Sequence, residues 1–190
     1  TGGSALVARR MGEGDERGAR ESFTFLMLCG AGIGVAFALV GLFLPGPISR
    51  LLGASDLLLD DTVTYLRVQL CFAPMAMLQL LFESFFVTAG RPGLGLGLAV
   101  AAGVTNAVLD YLYMGPMQMG ILGAALGTVT GYSIPAVVGV LFFLLRRQGL
   151  RFGRPHGDLR MLGRACFNGA SEMVTNLSMA VTTFLFNAIM

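Results

Sequence analysis

Two side chains in one apolar stretch have the types and spacing for ion chemistry. Asn106-Ala107-Val108-Leu109-Asp110 sets a carboxylic acid one helical turn after a side-chain amide, late in an apolar run from Leu94 to Met114. A run of that length reads as a membrane-spanning helix. A carboxylate inside a bilayer costs about 2.5–3.5 kcal/mol on insertion scales, so it faces a partner or a polar cavity rather than lipid. An amide beside such an acid suits a proton or a small hard cation. The blander readings are an acid near the headgroups satisfied by water, and an Asn that bonds a neighbouring helix.

These residues need a membrane scaffold, and the composition supplies one. Only 13% of the 190 residues are charged and 55% are hydrophobic, with a mean hydropathy of +0.73. A soluble domain carries about 25% charged residues. The chain is therefore expected to be all-α, a polytopic helical membrane protein. All thirteen basic residues are Arg, and most fall between apolar runs, a pattern of topology rather than of nucleic-acid binding. Cys29, Cys71 and Cys166 lie in apolar segments and are expected to be buried thiols, not a disulfide framework. No Ser/His/Asp or Cys/His set points to an enzyme or a metal centre. His156, the single histidine, falls in a basic loop as a solvated residue. The chain opens on Thr1 and stops at Met190 in mid-run, which reads as a fragment of a longer protein.

In chain order, Thr1–Val7 is the tail of a helix and Ala8–Glu21 a charged loop. Spans are expected at Phe23–Leu44, Thr62–Ala89, Leu94–Met114 and Gly120–Leu145, with a fifth starting near Ala165. Ile48–Asp61 reads as a polar connection, and Arg146–Arg164 as a basic loop. Gly30, Gly34 and Ala38 make a small-residue stripe for close helix packing, not a nucleotide loop, since no strand precedes them. Pro135 is expected to kink the fourth span.

The loops 8–21, 90–92 and 146–164 hold four, one and six Arg, against Arg50 and Arg67 on the other side. The positive-inside rule then makes these loops cytoplasmic. Asp110 would lie roughly 25 Å from the cytoplasmic end of its helix, in the outer half of the membrane, level with Thr128 of the next span. Glu83, with Gln79 one turn before it, would lie about 15 Å away in depth and not touch Asp110; Arg91 is within reach of it as a structural partner. The fifth span carries Asn168, Glu172, Asn176, Thr183 and Asn187 on one side, with Thr175 beside them, a stripe suited to a cavity.

Several of these segments resemble one family. Gly2-Gly3-Ser4-Ala5 followed by Gly12-Glu13-Gly14-Asp15 resembles the end of the second helix and the next loop of multidrug and toxic compound extrusion (MATE) transporters. Gly90-Arg91-Pro92 resembles their turn between helices 4 and 5. Asn106-x-x-Leu109-Asp110 and Gly120-Ile121-x-Gly123-Ala124-Ala125-x-Gly127-Thr128 resemble helices 5 and 6. The resemblance implies a partial MATE-type fold. Residues 1–145 would be the amino-terminal bundle from the end of helix 2 through helices 3–6, 146–164 the cytoplasmic inter-bundle loop, and 165–190 the start of helix 7.

The resemblance further implies a multi-pass protein of a prokaryotic plasma membrane. It would export drugs and organic cations by antiport with H+ or Na+, without an organic cofactor and in concert with the remainder of the full-length transporter. By motif the cation-coupling site maps to Asp110, Asn106 and Thr128. A polar position of helix 4 falls at Glu83, so Glu83, Gln79, Glu172 and Asn176 are secondary cavity candidates. Two rivals are a lipid-linked-precursor flippase of the same superfamily and a non-transporting assembly subunit. The Arg residues, which lie in loops and near span ends rather than in mid-span, favour the exporter over the flippase.

Overall fold

A computed structural model describes residues 2–51, 55–146, 149–155 and 159–189; the side chains of 159, 160, 171, 172, 180, 183–185 and 187–189 lie outside that description. Every regular element among the described residues is a helix: α1 Gly2–Gly12, α2 Glu16–Phe43, α3 Pro45–Leu51, α4 Leu59–Cys71, α5 Ala73–Thr88, α6 Pro92–Met114, α7 Gly120–Leu145 and α8 Leu159–Ile189. Three of them, α2, α6 and α7, are long and apolar enough to cross a membrane. The pair α4 and α5 meets the same test as one bent span. The chain is thus a multi-pass helical membrane protein, as its composition requires.

The residues fall into two compact units, 1–26 with 150–190, and 27–149. In the first unit the charged stretch expected as a loop is mostly helix. Only 13–15 leave the helical path, because Gly14 takes a positive φ of 80° and closes α1 with its amide on the Met11 carbonyl and that of Asp15 on the Arg10 carbonyl. Asp15 then caps α2 by accepting from the Gly18 amide at 2.9 Å. The charges form Arg9–Glu13, Arg17–Glu21 and Arg20–Glu16 pairs four residues apart, exposed or half-buried, a spacing that strengthens helices rather than breaks them. Part of the expected basic loop is anchored: Leu150 is buried, Phe152 packs on Phe23 with centroids 5.1 Å apart, and the Gly153 amide donates to Thr24 Oγ1 at 2.9 Å. The stretch expected to open a fifth span is helical, as α8, and starts at Leu159, ahead of Ala165; among the described residues α8 is not one of the helices that meet the membrane-crossing test.

The second unit is built around α7. Its buried face includes Gly123, Gly127, Gly131, Pro135, Gly139 and Phe143, and it packs on α4, α5 and α6. A Cβ on Gly139 would run into the Phe82 ring, so the glycine admits that ring and the stacked cluster of Phe82, Phe86 and Phe143. The expected stripe on α2 is present: Gly30 takes Leu81 and Gly34 takes Pro74, and Gly41 continues it against Leu70. Pro135 does not interrupt α7, which runs unbroken from Gly120 to Leu145.

The span expected as Thr62–Ala89 is broken. It bends by 56° between Cys71 and Ala73, with Phe72 as the joint. Pro74 is the cause: it has no amide to give the preceding turn, and its ring excludes the carbonyl four residues back, so it sits in the first turn of a new helix. The connection expected at Ile48–Asp61 is partly helical too, since α3 ends within it and α4 starts within it.

Candidate functional site

The link between α6 and α7 sets the geometry. A short turn at 115–119, closed by positive φ at Gln118 (50°) and Gly120 (58°), sends α7 back along α6. Residues spaced by three or four on α6 then meet glycines spaced by four on α7 in antiparallel order. Tyr113 meets Gly123, Asp110 meets Gly127, and Ala102 and Asn106 meet Gly131. Asn106 Nδ2 donates to Thr128 Oγ1 at 3.4 Å, and that hydroxyl donates to the Ala124 carbonyl at 2.9 Å. Asp110 Oδ1 lies against Gly127, the residue before Thr128. It is buried and has no hydrogen-bond partner. An acceptor in that state carries a desolvation cost of about 1–3 kcal/mol, more for a charge, until something satisfies it. The expected trio therefore sits on one seam: Asn106 and Thr128 hydrogen-bonded to each other, and Asp110 beside them with an acceptor oxygen that no donor satisfies.

The second amide–acid pair has a different setting. Gln79 and Glu83 line a recess with Phe86, Gly95, Leu98, Ala99 and Pro135. Neither Asn106 nor Asp110 is part of that wall, in keeping with the separation expected from their depths. Glu83 is exposed. The structural pairing with Arg91 does not occur: among the described residues the ion pairs named above leave Glu83 out, and Arg91 sits at the N-cap of α6. Glu83 is thus a bare carboxylate at the edge of an apolar hollow.

A family model named MatE matches residues 1–112. The chain belongs to the MatE family. Among curated proteins similar to this MatE chain is the multidrug export protein MepA of Staphylococcus saprophyticus, 26% identical over 190 residues, covering 98% of this chain and 42% of the relative. MepA of Staphylococcus haemolyticus is 25% identical over 156 residues, covering 82% of this chain and 34% of that protein. The chain spans less than half the length of these relatives. Its fold matches a multidrug resistance MATE transporter in an inward-facing conformation, with TM-score 0.88, 21% identity and coverage of 98% of this chain and 43% of that one. An outward-facing structure of such a transporter matches with TM-score 0.89, 20% identity and coverage of 98% and 42%.

The remaining expected positions are scattered in the MatE chain. Asn176 lies on α8, exposed, as does Asn168. The side chains of Glu172, Thr183 and Asn187 fall outside the described residues, and His156 does so altogether. Cys29 and Cys71 are half-buried, but Cys166 is exposed, because its stretch of α8 turns it away from α1.

Two features of the second unit escape a residue-type search. Gly127 and Gly131 carry no chemistry, yet they set where Asp110 and Asn106 rest; the signal is the matching period of four at 102, 106, 110 and at 123, 127, 131 across a short turn. Tyr132 on α7 donates to Gln69 Oε1 on α4 at 3.2 Å. Nothing in the local sequence of either residue signals that pairing.

Proposed function

We propose that this chain is part of a secondary active multidrug exporter that expels drugs and organic cations in exchange for H+ or Na+, with Asp110, Asn106 and Thr128 as the coupling site. The observation that carries the reading is the buried, unpartnered Oδ1 of Asp110 on the seam that also holds the Asn106–Thr128 bond. A proton on that carboxyl converts an unsatisfied acceptor into a donor and removes its charge. Na+ serves instead where the carboxylate and the Asn106 and Thr128 oxygens act as hard ligands. Either ion weakens the hold of the carboxylate on a cationic drug, so ion and drug compete for one group and move in opposite directions. Such exchange needs only two conformations with different affinities for the two cargoes.

Gln79 and Glu83 form a secondary wall of the drug cavity on this reading, where apolar lining suits lipophilic cations and Glu83 adds charge. Glu172 and Asn176 belong to the second bundle. The Arg-rich segments 8–21, 90–92 and 146–164 face the cytoplasm of a prokaryotic cell, and residues 1–145 and 165–190 belong to successive bundles joined by 146–164. Curated relatives named as multidrug exporters support the transport reading.

The test uses the full-length transporter in proteoliposomes, with dye efflux driven by an imposed pH or Na+ gradient. Asp110→Asn is expected to abolish gradient-driven efflux. Efflux at the wild-type rate from well-folded Asp110→Asn vesicles overturns the assignment. Labelling of single cysteines at positions 13 and 151 from outside intact cells tests the orientation, and ready labelling of both reverses it.

A further inference from the structure

We propose that Gly127 is a positioning residue for the Asp110 carboxylate: its bare Cα is the seat that keeps Oδ1 buried and unbonded, and so poised for the coupling ion. The proposal rests on the coupling reading above and adds to it a residue with no polar group of its own. A Cβ built on Gly127 would fall on Asp110 Oδ1 and lie 3.2 Å from its Cγ and 3.3 Å from its backbone nitrogen. The methyl group of any other residue would therefore occupy the space now held by the carboxylate. The neighbouring glycines differ. Gly123 faces the Tyr113 Cβ, and Gly131 faces the Ala102 carbonyl and the Asn106 Cβ. Gly127 alone of these three is in contact with the acid.

The seat also explains why Oδ1 lacks a donor. Helix amides point along the helix axis into their own turns, so the flank of α7 at Gly127 offers only carbon-bound hydrogens. The carboxylate oxygen is covered by a surface that removes water and supplies nothing in return. An ion bound there would satisfy it. With the seat filled, the carboxylate must move to open space, where water satisfies it, and the drive to bind the ion weakens.

The experiment compares Gly127→Ala with Gly103→Ala in the full-length transporter. Gly103 lies on the same helix as Asp110, and a Cβ there meets nothing within 4 Å. Two readouts are taken. The first is the half-saturating concentration of the coupling ion, H+ or Na+, in dye efflux. It is expected to rise at least threefold in Gly127→Ala and to stay within twofold of wild type in Gly103→Ala; an unchanged value in Gly127→Ala overturns the proposal. The second is labelling of Asp110 by dicyclohexylcarbodiimide, which is retained as a stable adduct by water-poor carboxyl groups, read by mass spectrometry. It is expected to fall at least threefold in Gly127→Ala, and equal or greater labelling overturns the seat. Should Gly127→Ala fail to assemble, Asp110→Glu probes the same seat from the other side. A carboxylate carried one methylene further has no room there, so the half-saturating ion concentration rises at least threefold, and an unchanged value again overturns the proposal. Wild-type efflux in Asp110→Asn removes the coupling reading, while the labelling result still decides the seat, because it reads the carboxyl group and not transport.

Discussion

Gln79 with Glu83 and Asn106 with Asp110 are the same phrase written twice: an amide, then an acid four residues on, in an apolar helix. The fold treats them differently. Asp110 meets glycine on the facing helix and has an oxygen buried without a partner. Glu83 stays exposed at the rim of a hollow beside Phe86 and Pro135. The difference lies in what faces the acid, not in the acid. Gly127 opposite Asp110 lets two backbones close over an oxygen of the carboxylate, whereas Glu83, although Gly95 lies nearby, stays on the open side of its recess.

The largest effect that would break this comparison is on transport. Asp110→Asn is expected to lower ion-driven efflux at least tenfold in proteoliposomes, about 1.4 kcal/mol or more. Glu83→Gln should stay within about threefold of wild type, under roughly 0.7 kcal/mol. Equal losses in the two variants would erase the distinction. The next effect is on stability. The same added methyl should cost about 1–3 kcal/mol at Gly127, where it overpacks the seam, when unfolding is followed by denaturant titration of purified protein. At Gly95, where a Cβ would meet Phe86 Cβ at 3.3 Å, the cost should be less than about half of that. A larger loss at Gly95 would show that the recess, not the seam, is the tighter contact. Thr128→Val removes the hydroxyl that accepts from Asn106 and should cost about 0.6 kcal/mol, the average for hydrogen bonds between membrane helices. Tyr132→Phe, which removes the bond to Gln69, should cost about as much, and a loss several times greater for either would mark that bond as a main fastening of α7.

Much of the fold was legible because lipid demands it. Runs of apolar residues near Phe23–Leu44, Leu94–Met114 and Gly120–Leu145 emerge as α2, α6 and α7, since a helix bonds its own backbone where no water is present. The turns at Gly90 and at 115–119 were legible for the same reason. Gly90 takes a φ of 72°, with its amide on the Val87 carbonyl and that of Arg91 on the Phe86 carbonyl, and Pro92 opens α6. What was misread lay in local chemistry of two kinds. Charges at 8–21 suggested a loop although their spacing of four is a helix signature. Apolar residues on both sides of Pro74 hid a helix break. Of the site, the residue types Asp110, Asn106 and Thr128 stood out, because polar groups in an apolar run are conspicuous. The glycines that seat them did not, because a missing side chain shows its purpose only when its neighbour is known.

By itself the sequence determined that the chain is helical and crosses a membrane, where the turns at Gly90 and at 115–119 fall, and which acids and amides lie within its apolar runs. Those outcomes depend on hydropathy and on backbone bonding within one segment. Only the tertiary structure decided that Asn106 donates to Thr128, that Asp110 rests unbonded against Gly127 and that Glu83 does not. Such facts depend on the rotation and closeness of two antiparallel helices, and a small turn about either axis would put a different residue opposite the carboxylate.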